Sequence, residues 1–140
     1  MKLRLGYVLI TLFVIVSPSF AATDDQTSSP RFFATYFYTN VRCPSCLTIE
    51  RLTSETIREE FAEEIENGIL TWRTINIDGT GNFHYVKDYN LYTKSVIISE
   101  MDGDREVRWK NLVKVWELLK SEGSFREYLK KEINGFMEPH

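Results

Sequence analysis

The sequence predicts an α/β protein built on a central mixed sheet flanked by helices. Three observations predict it. Dense β-branched and aromatic runs alternate with stretches of helical periodicity, in the order strand, helix, strand, short helix, two strands, helix. The leading strand-helix-strand unit implies a parallel pair, and an Asp-Gly dipeptide between the last two strands implies an antiparallel hairpin. Both cysteines fall in a single C-x-x-C, Cys43 and Cys46, at the junction of the first strand and the first helix.

A chain of 140 residues, 43% hydrophobic and 14% aromatic, has room for one domain with a packed core. Its first 21 residues read as a secretory signal: "MKLR" is a basic start, "LGYVLITLFVIV" an apolar run and "SPSFA" a small-residue end. Cleavage after Ala21 places Ser19 and Ala21 where a signal peptidase requires small side chains. The apolar run stops at Val16, short of the roughly 20 residues a bilayer span needs, so the expectation is an exported protein, periplasmic or secreted. An uncleaved signal acting as a membrane anchor is the alternative. Removing residues 1–21 takes away Lys2 and Arg4 and no acidic group, so the net charge falls from −3 to −5, which argues against a nucleic-acid partner.

Residues 22–30, "ATDDQTSSP", are polar and aperiodic and read as a flexible lead-in to a domain spanning 31–138. "RFFATYFYT", 31–39, has no polar face, as expected of a central strand buried on both sides. Ile49, Leu52, Ile57, Phe61 and Ile65 then recur near helical spacing, with a kink expected near Ser54 and a glycine stop at Gly68. "ILTWRTINID", 69–78, is the second strand, closed by the turn residues "GTGN". "NFHYVKDYN" suits a short helix, "SVIIS" a third strand and "REVRW" its return strand after "EMDGD". Two helical stretches close the chain: "NLVKVWELLK", with Leu112, Val115, Trp116 and Leu119 on one face, and "SFREYLKKEINGF", capped by Ser124.

A C-x-x-C opening the first helix after a central strand resembles the thioredoxin superfamily, and "ILTWRTINID" and "YNLYTKSVIISEMDGD" are similar to its second-strand and loop-strand-hairpin segments. The resemblance covers roughly residues 31–120 and implies a thioredoxin-like fold. "NVRCPSCLTIE", "WRTINID" and "YNLYTKSV" are similar more narrowly to small exported thioredoxin-like proteins described as the ArsF-type subunit of nitrophenyl-compound nitroreductases. That likeness implies a part in an electron-transfer assembly, with a membrane or reductase subunit as the partner.

Within this frame Cys43 is the expected nucleophile, because unpaired backbone N–H groups and the helix dipole at a helix N-terminus favour a thiolate. Cys46, one turn further in, is the expected resolving thiol, which attacks a mixed disulfide formed on Cys43. Pro44 suits the first helical turn, where its missing N–H leaves nothing unpaired, and Ser45 is small and polar. Arg42 brings a positive charge beside Cys43. A purely structural bridge over so short a loop removes little chain entropy. Exchange of electrons with a protein thiol or disulfide partner needs no bound cofactor.

The resemblance also exposes departures. Ser95 occupies the position of the family's cis-proline, with Lys94 beside it; Phe37 stands where the family buries an aspartate behind the dithiol, and Thr74 where it carries a lysine. These weaken general disulfide exchange and strengthen a second reading, a non-enzymatic vicinal-dithiol protein for copper or arsenite, with His84 as a third ligand to Cys43 and Cys46. Lys94, across the groove, is a candidate for stabilising the Cys43 thiolate, and Glu50, two helical turns after Cys43, reads as a surface carboxylate. A redox-inert accessory subunit that uses the fold as a docking surface is a third reading.

Overall fold

The computed structural model describes residues 31–138; the expected signal (1–21), the lead-in (22–30) and His140 lie outside them. Four strands, β1 (Phe32–Tyr38), β2 (Leu70–Asn76), β3 (Ser95–Asp102) and β4 (Arg105–Asn111), form one mixed sheet in the order β2-β1-β3-β4. β1 runs parallel to β2 and antiparallel to β3, and β3 pairs antiparallel with β4. The parallel pair has the long helical crossover between β1 and β2 that such a pair requires. The antiparallel pair follows from the tight turn at Gly103, whose φ of +60° is open to glycine at no steric cost.

Alternation along the central strands divides the core in two. Phe32, Ala34 and Tyr36 of β1 and Val96 and Ile98 of β3 face α1 (Pro44–Glu60) and α4 (Glu122–Met137). Ile49, Leu52 and Ile57 of α1 and Phe125, Leu129 and Ile133 of α4 fill that layer, all fully buried. The two helices are tied at their surface by Arg126, which bonds Glu55 at 2.7 Å and Glu59 at 2.8 Å, and by the ion pair of Lys130 with Glu60. Phe37 and Ile97 point the other way and meet Tyr89 and Leu91 beneath the five-residue α3 (His84–Asp88). No helix among the described residues is long and apolar enough to cross a membrane.

Three local expectations are corrected. The first helix does not kink at Ser54. It runs unbroken to Glu60 and breaks at the buried Phe61 (φ −127°, ψ 32°) before α2 (Ala62–Glu66) resumes. The segment around Leu112–Leu119 is not an α-helix but a single 3₁₀ turn, Val113–Trp116. Long-range bonds outweigh its periodicity: Leu112 N–H donates to Val96 O at 2.8 Å and Trp116 Nε1 to Lys94 O at 2.9 Å, which pins one end to β3 and the other to the residue just before it. The last helix is capped by Ser121 rather than Ser124, since Ser121 Oγ accepts the Ser124 N–H at 3.4 Å.

Candidate functional site: the Cys43–Cys46 dithiol

β1 ends at Tyr38 and a short loop delivers Cys43 to the N-cap of α1. Cys43 keeps extended backbone (φ −88°, ψ 160°), Pro44 takes the first helical position, and the Leu47 N–H closes the first turn onto Cys43 O at 3.1 Å. The cysteines are joined by a disulfide with Cα atoms 5.0 Å apart. Cys43 Sγ also accepts the Cys46 N–H at 3.2 Å, so one sulfur occupies the place of a capping oxygen. The first turn carries no acidic residue, so no carboxylate within that turn opposes negative charge on that sulfur.

The two cysteines differ in burial. Cys46 is 0% exposed, on the α1 and α4 side of the sheet, whereas Cys43 is only partly buried and is flanked by the exposed Pro44 and Ser45. A thiol or disulfide arriving from solvent therefore meets Cys43 first.

The residue behind the dithiol is Tyr36. Its hydroxyl donates to Cys46 O at 2.9 Å, and its side chain is fully buried. Burial raises its pKa above the ordinary tyrosine value, an effect that the nearby Arg42 charge only partly offsets, so the hydroxyl is a neutral donor at physiological pH. Phe37, which the resemblance puts in this place, lies on the opposite face against Tyr85 and Tyr89, ring centroids 5.1 and 5.2 Å away. Thr74 is opposite Tyr36 in the β1-β2 register and is exposed. The one signal that could have found Tyr36 is chemical: a buried tyrosine needs a partner for its hydroxyl.

Arg42 is less free than its position suggests. Its guanidinium stacks over the Tyr38 ring, 4.3 Å from the centroid, and pairs with Glu50. Glu50 is thus half-buried and neutralises the cation beside Cys43, rather than standing as an isolated surface carboxylate. Arg42 Nε is buried with no hydrogen-bond partner.

Ser95 pairs with Phe37 at the start of β3, at the same end of the sheet as the dithiol loop. Its peptide bond is trans, and its hydroxyl donates to Thr93 O at 2.9 Å instead of facing outward. Lys94 is half-buried and lines a small cleft with Thr39, Ile77, Leu91 and Tyr92, a lining that does not include the cysteines.

His84 is not brought to the dithiol. It begins α3, its Nδ1 lies 2.6 Å from Asp88 Oδ2, and no group of three or more His, Cys, Asp or Glu side chains among the described residues could hold a metal ion. The three-ligand set Cys43, Cys46 and His84 is therefore corrected: α3 belongs to the far face of the sheet, whereas Cys46 is packed on the near one.

A parallel β1-β2 pair, an antiparallel β1-β3-β4 extension and a C-x-x-C at the N-terminus of the helix leaving β1 are now all in place. The fold is thioredoxin-like. No protein-family model matches the chain, and no curated protein matches it. Among solved structures it is similar to the first two thioredoxin domains of Saccharomyces cerevisiae Eps1p, at 21% identity and a TM-score of 0.41, with 58% of this chain and 29% of that one covered.

Proposed function

We propose that the protein is an exported thioredoxin-like thiol:disulfide oxidoreductase that passes electron pairs to or from a protein partner through Cys43 and Cys46. The observation that carries this reading is the division of burial within one closed bridge: a half-buried cysteine at the N-cap of α1 and a fully buried one a turn behind it. That is the arrangement an attacking and a resolving thiol require.

In the reducing direction the Cys43 thiolate attacks a partner disulfide and expels one partner thiolate, leaving a Cys43–partner mixed disulfide. The Cys46 thiol, once deprotonated, attacks Cys43 Sγ and expels the second partner thiolate. Two electrons reach the partner and the Cys43–Cys46 bond is restored; the reverse sequence oxidises a partner dithiol. The N–H groups of the first α1 turn stabilise the Cys43 thiolate. Tyr36 holds the Cys46 carbonyl, so the buried sulfur keeps its direction while its neighbour exchanges partners. An electron-transfer role beside a membrane or reductase subunit, as in the ArsF-type likeness, is the narrower form of the same proposal, and export supplies a compartment where such a bridge persists.

The decisive measurement is the reduction potential of the couple, by equilibration in thiol redox buffers. A reversible midpoint between about −270 and −120 mV is expected, and a bridge still closed well below about −300 mV would make it structural. Replacing Cys43 by serine should abolish exchange with a dithiol-reducible protein, whereas Cys46→Ser should accumulate the mixed disulfide.

A further inference from the structure

Beside the dithiol, a groove of ≈ 610 Å³ runs between α1 and β2. Arg42, Arg51 and Arg58 line it from the loop and helix, Glu50 is its one acid, and Trp72 and Thr74 form its strand side. Arg73 also belongs to that strand but turns its guanidinium to the other face, 4.2 Å over the Phe33 ring and 2.9 Å from Thr35 Oγ1.

Two features set this groove apart from the rest of the surface. Three guanidinium groups against one carboxylate gather there on a chain whose net charge is −3. Arg42 is engaged by Glu50, and Arg51 by Glu55 and Glu122, but Arg58 is exposed and meets no carboxylate among the described residues. The strand side of the groove is, moreover, the outermost strand of the sheet among the described residues, so its outer row of backbone donors and acceptors has no strand beside it.

We propose that this groove receives an extended, acidic segment of the protein that exchanges electrons with Cys43. The segment lies along the β2 edge, pairs its backbone with that strand, and sets a carboxylate on Arg58 and an apolar side chain against Trp72. The groove begins at Arg42, the residue preceding Cys43, so a segment seated in it brings the flanking part of the same partner to Cys43. The cation supplies orientation and encounter rate, and the strand edge supplies affinity. As a statement about an exchange partner, the proposal rests on the function proposed above.

Its test separates the two. A cysteine-free peptide of about eight residues, with glutamate alternating with threonine, is titrated calorimetrically into the full chain at low ionic strength, beside an analogue with glutamine for glutamate. The glutamate peptide is expected to bind about fivefold more tightly, a preference that Arg58→Glu abolishes, Arg58→Lys keeps and about 0.5 M salt shrinks. Equal binding of the two peptides, no binding of either, or an undiminished preference in Arg58→Glu overturns the groove. Because the peptide has no thiol, its binding is independent of the reduction potential. A groove that binds beside a bridge that cannot be reduced keeps the docking site and removes the oxidoreductase.

Discussion

The two faces of the sheet are built on different scales. On one, the 17-residue α1 and the 16-residue α4 cover an apolar layer in which Tyr36, Ile49, Leu52, Leu129 and Ile133 are fully buried. On the other, the five-residue α3 and the loop after it cover Phe37 and Ile97, and the strands there also bury Thr35, Ser95 and Ser99. Tyr89 of this thinner side spends its hydroxyl on Glu106 at 2.5 Å, and burial followed by that hydrogen bond pushes its pKa far above the ordinary value.

The dithiol takes its rigidity from the thicker face. Cys46 is sealed there and its carbonyl is held by Tyr36, so the buried cysteine of the pair is positioned by the face that carries the two long helices. The 91–95 loop at the same end of the sheet belongs to the thinner side, where fewer apolar contacts resist local opening. A fixed sulfur pair beside a more adaptable surface suits the thiol exchange proposed above.

The comparison breaks most directly by truncation on each face. Leu129→Ala, on α4, should cost about 3 kcal/mol, whereas Tyr85→Ala, in the partly buried rim of the other cluster, should cost about 1 kcal/mol. Equal losses in urea unfolding would mean that the faces contribute alike.

Next in size is Glu100, at the end of the thicker layer remote from the dithiol. It is 8% exposed and holds both Arg31, at 2.5 Å, and Arg108. Burial pulls its pKa up, but the hydrogen bonds and charges of Arg108 and Arg31 outweigh that and hold it below the ordinary carboxylate value. A lowered folded pKa stabilises the fold at pH above the unfolded carboxylate value, about 4.3, and the contribution is lost as pH falls through the folded value. Glu100→Gln should therefore cost about 2 kcal/mol near neutral pH, and its stability should converge with that of the unsubstituted protein in acid. A gap that persists unchanged in strong acid would assign the loss to packing instead.

The smallest effect expected is that of Tyr36→Phe, about 1 kcal/mol, from the loss of one buried hydrogen bond with the ring retained. Amide exchange in the first turn of α1 should accelerate in this variant while that of α4 stays unchanged. Uniform acceleration would mean that Tyr36 supports the whole layer rather than the dithiol.

Much of the fold was legible because it is written in short-range signals. The apolar runs of β1 and β3, the glycine at Gly68 with its φ of +68°, and the Asp-Gly turn each act within a few residues, and each stands where the sequence pattern puts it. The 112–119 segment departs from its pattern because its helical spacing is real but its backbone bonds reach β3. The site was legible only as two cysteines at the head of a helix. β1 is apolar on both faces, so its alternation could not reveal which aromatic ring lies under the dithiol.

The sequence by itself determined the order of the elements, the mixed sheet and the place of Cys43 and Cys46 at the head of α1, because propensity, capping and turn chemistry are local. Tertiary structure alone decided that Tyr36 rather than Phe37 supports Cys46, that Glu50 takes up the charge of Arg42, that His84 stands on the other side of the sheet, and that Arg58 lines a groove beside β2, the outermost strand among the described residues. Each of these depends on which residues far apart in the chain share a face, and local chemistry sets that only after the sheet has closed.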